Sequence, residues 1–177
     1  MHHHNPEFHF CPVCGGKLHS ATLKENEPDR LVCAGCGFVF YQDPKVVACV
    51  VLEMDGRIVL LKREIEPQRG KWVLPGGYVD RGEEVETAAV RETREESGLE
   101  VEIKDLLGVY SYPGKIQVVV VYLARYLSGE LAAVDETSEA GWFEKNRIPW
   151  KNLAFRSTTD ALKDYLSMMV DRQARVS

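Results

Sequence analysis

The fold is decided by the segment Gly77-Tyr-Val-Asp-Arg-Gly-Glu83-Glu-Val-Glu-Thr-Ala-Ala-Val-Arg91-Glu92-Thr-Arg-Glu95-Glu96-Ser-Gly98-Leu99. Its pattern predicts a helix over residues 84–97 that ends at a glycine suited to the left-handed conformation. On such a helix Val85, Ala88 and Ala89 share one face, and the same face continues to Glu92 and Glu96. Carboxylates that face the protein interior are costly unless they are paired or bind a metal.

The acidic end of this helix favours a divalent cation. Glu92, Glu95 and Glu96 crowd the last two turns, where the helix dipole is negative and cations are preferred. Clustered carboxylate oxygens are ligands that suit Mg²⁺ or Mn²⁺. The alternative is a solvated charged face with pairs such as Arg91 and Glu95. On these residues alone, both interpretations stay open.

The spacing of the whole segment resembles the signature of the Nudix family, Gx₅Ex₇REUxEExGU, where U is an aliphatic residue. Gly77, Glu83, the Arg91-Glu92 pair and the acids that follow all fall at the required positions. The sequence departs from the signature at Thr93, where an aliphatic residue is usual. Threonine carries a methyl group and is β-branched, so we expect little functional consequence.

The resemblance implies an α/β fold, a Nudix α/β/α sandwich with a mixed sheet. It also implies hydrolysis of a pyrophosphate bond in a nucleoside diphosphate derivative by metal-activated water. Carried over by position, Glu92, Glu95 and Glu96 would bind Mg²⁺ or Mn²⁺, with the carbonyl of Gly76 as a further ligand. Glu92 or Glu95 would orient or deprotonate the water.

The resemblance also assigns supporting residues. Arg91 would anchor the acidic cluster by ion pairing, and Glu83 would brace the loop before the helix. Family members often recruit another acid from a later loop, where Glu136 and Glu139 precede a Trp-Phe pair. We favour Glu136 slightly, and the alternative for both is a solvated acidic loop.

Four cysteines near the N-terminus predict a second metal site. Cys11 and Cys14 form one CxxCG pair, and Cys33 and Cys36 form another. This spacing is typical of a zinc ribbon, and four thiolates close the coordination sphere, which favours structural Zn²⁺. Two disulfides or four unrelated core thiols are the alternatives. Cys49 lies within an apolar run and is interpreted as a buried, inert thiol.

The layout as a whole is similar to zinc-ribbon Nudix enzymes, and most similar to the plant chloroplast pyrophosphatases that act on FAD and ADP-ribose. Shared segments include Tyr41-Gln-Asp-Pro-Lys, Leu61-Lys-Arg and Leu153-Ala-Phe. NADH pyrophosphatases carry a zinc ribbon too, and NADH is the alternative substrate. They carry an additional motif of the SQPWPFP kind after the Nudix signature, and no such string follows Leu99.

Substrate contacts are predicted less directly. Arg63 at a strand end could reach a phosphate. Four aromatic residues could stack on adenine or isoalloxazine: Trp72, Tyr78, Tyr112 and Phe155. For each of them the alternative is simple packing in the core or at its rim.

The 177 residues suffice for a zinc ribbon at 8–42 and a Nudix hydrolase domain at 43–177. A hairpin is predicted from strands at 46–53 and 58–62, with further strands at 101–112, 117–126 and 141–144 and a closing helix at 157–173. His2, His3 and His4 are set aside, as either native residues or the remnant of a tag.

Charge and hydropathy exclude some classes of binding partner. The net charge of −5 and the few basic residues among residues 11–40 argue against a nucleic-acid-binding ribbon. No apolar run is long enough to cross a membrane, and no signal peptide is recognisable. We therefore expect a cytoplasmic enzyme with a small-molecule nucleotide substrate. The resemblance implies a homodimer. A catalytically inactive sensor is disfavoured, because all the acids of the Nudix signature are present.

Overall fold

The computed structural model describes residues 8–176, with side chains placed for residues 8–171. His2, His3 and His4 lie outside the described residues. The chain forms two compact units, Met1–Asp43 and Pro44–Ser177.

The N-terminal unit is built on a small antiparallel sheet. Its strands are β1 (Leu18–Ala21), β2 (Arg30–Cys33) and β3 (Val39–Phe40), in the order β1-β2-β3. Phe8 packs edge to face on Phe40, with ring centroids 4.7 Å apart. Because so small a sheet buries little apolar surface, the unit depends on a further stabilising element.

The second unit is built on a mixed sheet. Its strands are β4 (Lys45–Met54), β5 (Arg57–Arg63), β6 (Trp72–Val73), β7 (Gly76–Tyr78), β8 (Glu100–Ser111), β9 (Gln117–Ser128) and β10 (Thr137–Glu144). The main order is β10-β5-β4-β9-β8, while β6 pairs with β5 and β7 pairs with β4. Strands β4 and β9 are parallel, and the other neighbours are antiparallel.

Two α-helices flank this sheet: α1 (Val85–Ser97) and α2 (Arg156–Val176). Helix α1 ends as predicted, because Gly98 adopts φ 70° and its N–H donates to the carbonyl of Arg94. Short 3-10 turns at Lys145–Arg147 and Trp150–Asn152 lead into α2. Across the described residues, neither helix combines the length and the apolar character that a membrane span requires.

The sheet separates two hydrophobic cores because alternate residues of a strand point to opposite faces. On one face Val50, Leu52, Val59 and Leu61 pack with Ala88 and Ala89 of α1. On the other face Val51, Ile58 and Leu60 pack with Ala161, Leu162 and Tyr165 of α2. The α/β/α sandwich with a mixed sheet is therefore confirmed.

One boundary of the predicted elements is wrong. Strand β10 begins at Thr137 rather than at residue 141, because its pairing with β5 extends to Arg63. On α1 the fully buried residues are Ala88, Ala89, Thr93 and Ser97, and Glu92 and Glu96 beside them are half-buried. The small side chains of the buried residues let the helix lie close to the sheet.

Thr93, the residue that departs from the Nudix signature, is fully buried, and its hydroxyl donates to the carbonyl of Ala89 at 2.7 Å. We expect Thr93→Val to change the free energy of unfolding by less than about 1 kcal/mol, because the carbonyl of Ala89 keeps its backbone hydrogen bond and no donor is left unpaired. Thr93→Ala should cost about 1–2 kcal/mol, because it leaves a cavity. Urea denaturation measures both, and a larger loss for valine than for alanine would contradict this account.

Candidate metal centres

The turn before α1 brings the backbone against the acids of the helix. The N–H of Gly76 donates to Oε2 of Glu96 at 2.9 Å. A Cβ at Gly77 would collide with the carboxylate of Glu92, and one at Gly76 would collide with the carbonyl of Ala48. Because both positions are glycine, the backbone can lie against the carboxylates of Glu92 and Glu96.

Arg91 joins the loop to the helix. Its Nε and Nη2 donate to the two carboxylate oxygens of Glu83 at 2.8 and 2.9 Å. Its Nη1 donates to Glu92 at 2.8 Å and to Glu95 at 3.0 Å, and Nη2 also donates to the carbonyl of Tyr78 at 3.2 Å. A planar guanidinium has five donors in a fixed fork, so a single side chain can hold all of these groups.

The carboxylates differ in how well their charge is compensated. Hydrogen bonds from Arg91 lower the pKa of Glu83 to about 2. Burial raises the pKa of Glu96 to about 7, and the nearby charge of Glu92 adds to this effect. Burial also raises the pKa of Glu92, although Arg91 opposes the shift. The charged forms of Glu96 and Glu92 are therefore not fully compensated by the protein's own cations.

The donor set of this cluster suits a hard divalent cation, but the oxygens are not gathered around one point. Among the described residues, the four cysteines are the only group of three or more possible ligands whose ligand atoms lie within 4.8 Å of one another. The carboxylates of Glu92 and Glu95 are instead directed to Arg91. Binding of a cation by all three acids would require Glu92 and Glu95 to turn partly away from Arg91.

The two later acids are in different surroundings. Glu136 lies close enough to Glu96 for its charge to raise the pKa of that carboxyl. Its backbone carbonyl accepts a hydrogen bond from the N–H of Glu64. Glu139 lies on β10 and pairs with Nζ of Lys62 at 3.0 Å. The arrangement places Glu136, rather than Glu139, beside the acidic cluster.

Arg63, at the end of β5, lies close enough to the acidic cluster for its charge to act on Glu96. Its Nε donates to the carbonyl of Pro67 at 2.8 Å, and its guanidinium lies 5.2 Å from the ring centroid of Phe155. Its positive charge lowers the pKa of Glu96, against the effect of burial. The guanidinium of Arg63 is thus positioned by Pro67 and Phe155, and its charge acts on Glu96.

The other aromatic candidates do not form one group. Trp72 packs edge to face on Phe143 at 4.7 Å, in the core on the α2 side, so its ring is used for packing. Tyr78 is 49 % exposed, with Nζ of Lys45 at 5.1 Å from its ring centroid. The hydroxyl of Tyr112 donates to a carboxylate of α2 at 2.8 Å.

Sequence reasoning missed two contacts of this site. The carbonyl of Tyr78 accepts from Arg91, and backbone acceptors leave no signal in a sequence. Cys49 borders the cluster as well: it is partly buried, and burial together with the charges of Glu96 and Glu92 raises the pKa of its thiol to about 12. The thiol therefore stays protonated at neutral pH, as expected for an inert cysteine.

The four N-terminal cysteines form a second centre. Their sulfur atoms lie within 4.8 Å of one another, with Cys11 to Cys36 at 3.8 Å and Cys14 to Cys33 at 3.4 Å. Sulfurs around tetrahedral Zn²⁺ are about 3.8 Å apart, given a Zn–S bond of about 2.3 Å. All four cysteines are free thiols, so the disulfide alternative is not realised.

The backbone supports this arrangement of sulfurs. Gly15 and Gly37, which follow the two CxxC pairs, have φ of 73° and 74°, as expected for the closing residue of each turn. Backbone N–H groups of Cys36 and Gly35 lower the pKa of Cys33 to about 6, while hydrogen bonds with the thiols of Cys36 and Cys33 raise the pKa of Cys14 to about 12. The protons are thus unevenly shared among the four thiols, and a metal requires that they be released. With four protein ligands, no coordination position is left for substrate or water.

Comparison with protein families identifies both units. A model described as the NUDIX domain matches residues 43–162, and one described as the Nudix N-terminal zinc ribbon matches residues 9–42. A crystal structure of a NUDIX hydrolase from Nitrosomonas europaea is 36 % identical, with a TM-score of 0.85, and the match covers 90 % of this chain and 91 % of that one.

Two curated relatives have named activities. An ADP-ribose pyrophosphatase of Methanocaldococcus jannaschii is 41 % identical over 130 residues, which cover 71 % of this chain and 75 % of that protein. The NAD-capped RNA hydrolase NudC of Vibrio vulnificus is 28 % identical over 83 % of this chain. This chain spans about half, 55 %, of the length of that NudC protein.

The cysteine cluster predicts one Zn²⁺ per chain. We expect Cys33→Ser to abolish stoichiometric zinc after dialysis against a chelator, because three thiolates bind the metal more weakly than four. Cys49→Ser is the control, since it removes the cysteine outside the cluster and should keep the zinc. Elemental analysis by mass spectrometry measures both, and equal zinc contents would contradict the assignment.

The hydrogen bonds of Arg91 predict a large effect on stability. Arg91→Lys removes the fork that holds Glu83 together with Glu92 and Glu95, so we expect it to cost about 2–4 kcal/mol of unfolding free energy. Arg94→Lys, at an exposed position of the same helix, should cost less than about 0.5 kcal/mol. Equal losses in chemical denaturation would show that the network contributes little.

Proposed function

Because the chain belongs to the Nudix family of hydrolases, we propose that it hydrolyses the pyrophosphate bond of ADP-ribose in a reaction that requires Mg²⁺ or Mn²⁺. The observation that supports this proposal most directly is the buried carboxylate of Glu96, which is hydrogen-bonded by Gly76 and adjoins Glu92. Uncompensated carboxylates beside a glycine turn suit a cation that carries phosphate.

The ligands of the cation would be the carboxylates of Glu92, Glu95 and Glu96 and the carbonyl of Gly76. When bound, the cation supplies neutralisation of the pyrophosphate charge and a lower pKa for a water molecule. Oxygen donors at this position fit a hard cation better than they fit zinc, which prefers nitrogen and sulfur ligands. The zinc expected at the four cysteines would then be structural.

The remaining residues have positioning roles in this proposal. Arg91 holds Glu92 and Glu95 on the helix, and Glu83 fixes the guanidinium of Arg91 by a bidentate pair. Glu92 and Glu95 are the candidates to accept a proton from the attacking water, since each is held by a single donor of Arg91. Glu136 is the candidate for an additional ligand or base, and Glu139 stays a weaker one.

Arg63 is the candidate to bind a phosphate oxygen, because its Nη atoms are not needed for the bond to Pro67. Exposed Tyr78 and partly exposed Phe155 and Tyr112 are the candidates to stack on an aromatic ring of the substrate. Trp72 is the weakest of the four, since its ring already packs on Phe143.

ADP-ribose is preferred as substrate because a pyrophosphatase for it is the relative with 41 % identity. FAD stays a second candidate, since the segments shared with plant chloroplast enzymes point to it. NADH is the alternative, and NAD-capped RNA hydrolases are relatives at lower identity. The missing SQPWPFP-type string argues against the NADH class. A homodimer, a cytoplasmic location and the lack of a nucleic-acid partner also stay predictions.

The acids of α1 predict a sharp loss of turnover. We expect Glu95→Gln and Glu96→Gln to lower kcat by at least about 100-fold while the fold is retained, because each would remove a charged ligand or a base. Glu86→Gln, at an exposed position of the same helix, should keep kcat within about twofold. Normal turnover in the first two variants would refute their assignment.

Substrate choice is tested with FAD, ADP-ribose, NADH, coenzyme A, Ap₄A and deoxynucleoside triphosphates, with and without Mg²⁺ or Mn²⁺. We expect metal-dependent release of AMP from ADP-ribose with the highest kcat/KM of the set. A higher kcat/KM for NADH would favour the alternative. No turnover of any compound in the presence of metal would contradict the proposed function.

A further inference from the structure

The segment that connects β9 to β10, residues 129–136, lies against the last turn of α1. The N–H of Ala132 donates to the carbonyl of Ser97 at 3.0 Å, and the N–H of Val134 donates to the carbonyl of Glu96 at 3.2 Å. The last carbonyls of an α-helix have no donor within the helix itself. The segment therefore supplies hydrogen bonds that the end of α1 lacks, and one of them goes to the backbone of an acid of the cluster.

Glycines on both sides make this close approach possible. A Cβ at Gly129 would lie 2.3 Å from the carbonyl oxygen of Gly98 and 3.1 Å from the Cα of Leu99. Gly129 also has a φ of 101°, in the left-handed region that favours glycine. A side chain at position 129 would therefore push the segment away from the end of α1. Leu131 holds the segment from the other side, since it packs against the core that faces α1.

The far end of the segment is fixed to β5. The carbonyl of Glu136 accepts a hydrogen bond from the N–H of Glu64 at 2.8 Å, and Thr137 pairs with Arg63 in the sheet. The N–H of Thr137 also donates to the carbonyl of Val134 at 3.1 Å, which closes a turn around Glu136. Backbone contacts thus hold Glu136 between the end of α1 and the end of β5.

These contacts place the charge of Glu136 beside Glu96. A single residue separates Glu136 from Val134, whose N–H is bonded to the backbone of Glu96. Burial is the main cause that raises the pKa of the Glu96 carboxyl, and the charge of Glu136 adds to this effect. A negative charge that disfavours the ionised form of Glu96 favours a cation bound beside it, because the cation has the opposite sign.

We propose that Gly129 is a positioning residue of the acidic cluster. By letting residues 129–136 lie against the end of α1, it fixes Glu136 beside Glu96 and so strengthens the binding of a divalent cation there. Gly129 lies outside the Nudix signature, which ends at Leu99, so the signature does not mark it. That the cation serves hydrolysis rests on the proposed function, whereas its affinity depends on no substrate.

The test is a double-mutant cycle between Gly129 and Glu136 in the full-length, zinc-loaded protein. Electron paramagnetic resonance of free Mn²⁺ gives the dissociation constant for this ion without substrate. We expect Glu136→Gln to raise the constant at least about tenfold, the usual effect of removing a group that supports metal ligands. Gly129→Ala should raise it at least about fivefold, and the variant with both changes should stay within about twofold of Glu136→Gln alone.

Gly56→Ala is the matched control. Gly56 also has a left-handed φ, 75°, but a Cβ there would meet nothing within 4 Å. The control should keep the Mn²⁺ dissociation constant within about twofold. Amide hydrogen exchange at Ala132 and Val134, measured by NMR, reports the contact with α1. We expect exchange at least about tenfold faster in Gly129→Ala and unchanged in the control.

Circular dichroism and the Tm establish that the variants fold. Ala132→Pro, which removes the donor to Ser97, replaces Gly129→Ala if the latter does not fold. Wild-type Mn²⁺ binding in Gly129→Ala or in Glu136→Gln would overturn the inference. Additive effects of the two changes would overturn it as well, because Gly129 would then act independently of Glu136. A coupled effect on Mn²⁺ binding in a protein that cleaves no pyrophosphate would support the inference and contradict the proposed function instead.

Discussion

Arg91 donates hydrogen bonds to three carboxylates and to one backbone carbonyl, and the arrangement of α1 and the loop before it depends on these bonds. Glu92, Glu95 and Glu96 lie at the negative end of a helix, where like charges repel one another and oppose the helix dipole. The guanidinium offsets part of that repulsion and ties the helix to Glu83 in the preceding loop. A lysine could not do the same, because its ammonium has no planar fork.

The carboxyl of Glu96, which Arg91 does not neutralise, is equally important for the proposed metal site. Glu96 is turned away from Arg91 toward the N–H of Gly76, in a position where burial disfavours its ionised form. Such a carboxyl is destabilising when charged and is stabilised by a divalent cation. Arg91 therefore holds Glu83, Glu92 and Glu95, whereas the carboxylate of Glu96 is hydrogen-bonded by Gly76. The glycines at 76 and 77 make this arrangement possible, since a side chain at either position would collide with its neighbours.

The parts of the structure that follow from short-range patterns could be predicted from the sequence. The helix and its end at Gly98, the strand pair around Asp55 and Gly56, and the grouping of the four cysteines all depend on residues close in the chain. Long-range pairing could not be predicted in the same way. Strand β10 starts earlier because β5 extends its ladder, and the ring of Trp72 belongs to the α2-side core because of its strand register.

The buried face of α1 shows a further limit of sequence reasoning. Sequence spacing grouped Glu92 and Glu96 with Val85, Ala88 and Ala89, and both acids are half-buried. The residues that are fully buried toward the end of the helix are Thr93 and Ser97, because the packing of α1 on the sheet decides which side chains are covered. Burial is a property of the assembled layers, and a helical period alone does not determine it.

The proposed function requires that the carboxylates of α1, with Glu96 among them, bind a divalent cation. A crystal of the protein soaked in Mn²⁺ and measured by anomalous diffraction tests this claim most directly. The account predicts a strong peak about 2.0–2.3 Å from a carboxylate oxygen of Glu96, with Glu92 or the carbonyl of Gly76 as a neighbouring ligand. A peak confined to other acids, or no peak near Glu96 at concentrations that support turnover, would contradict it.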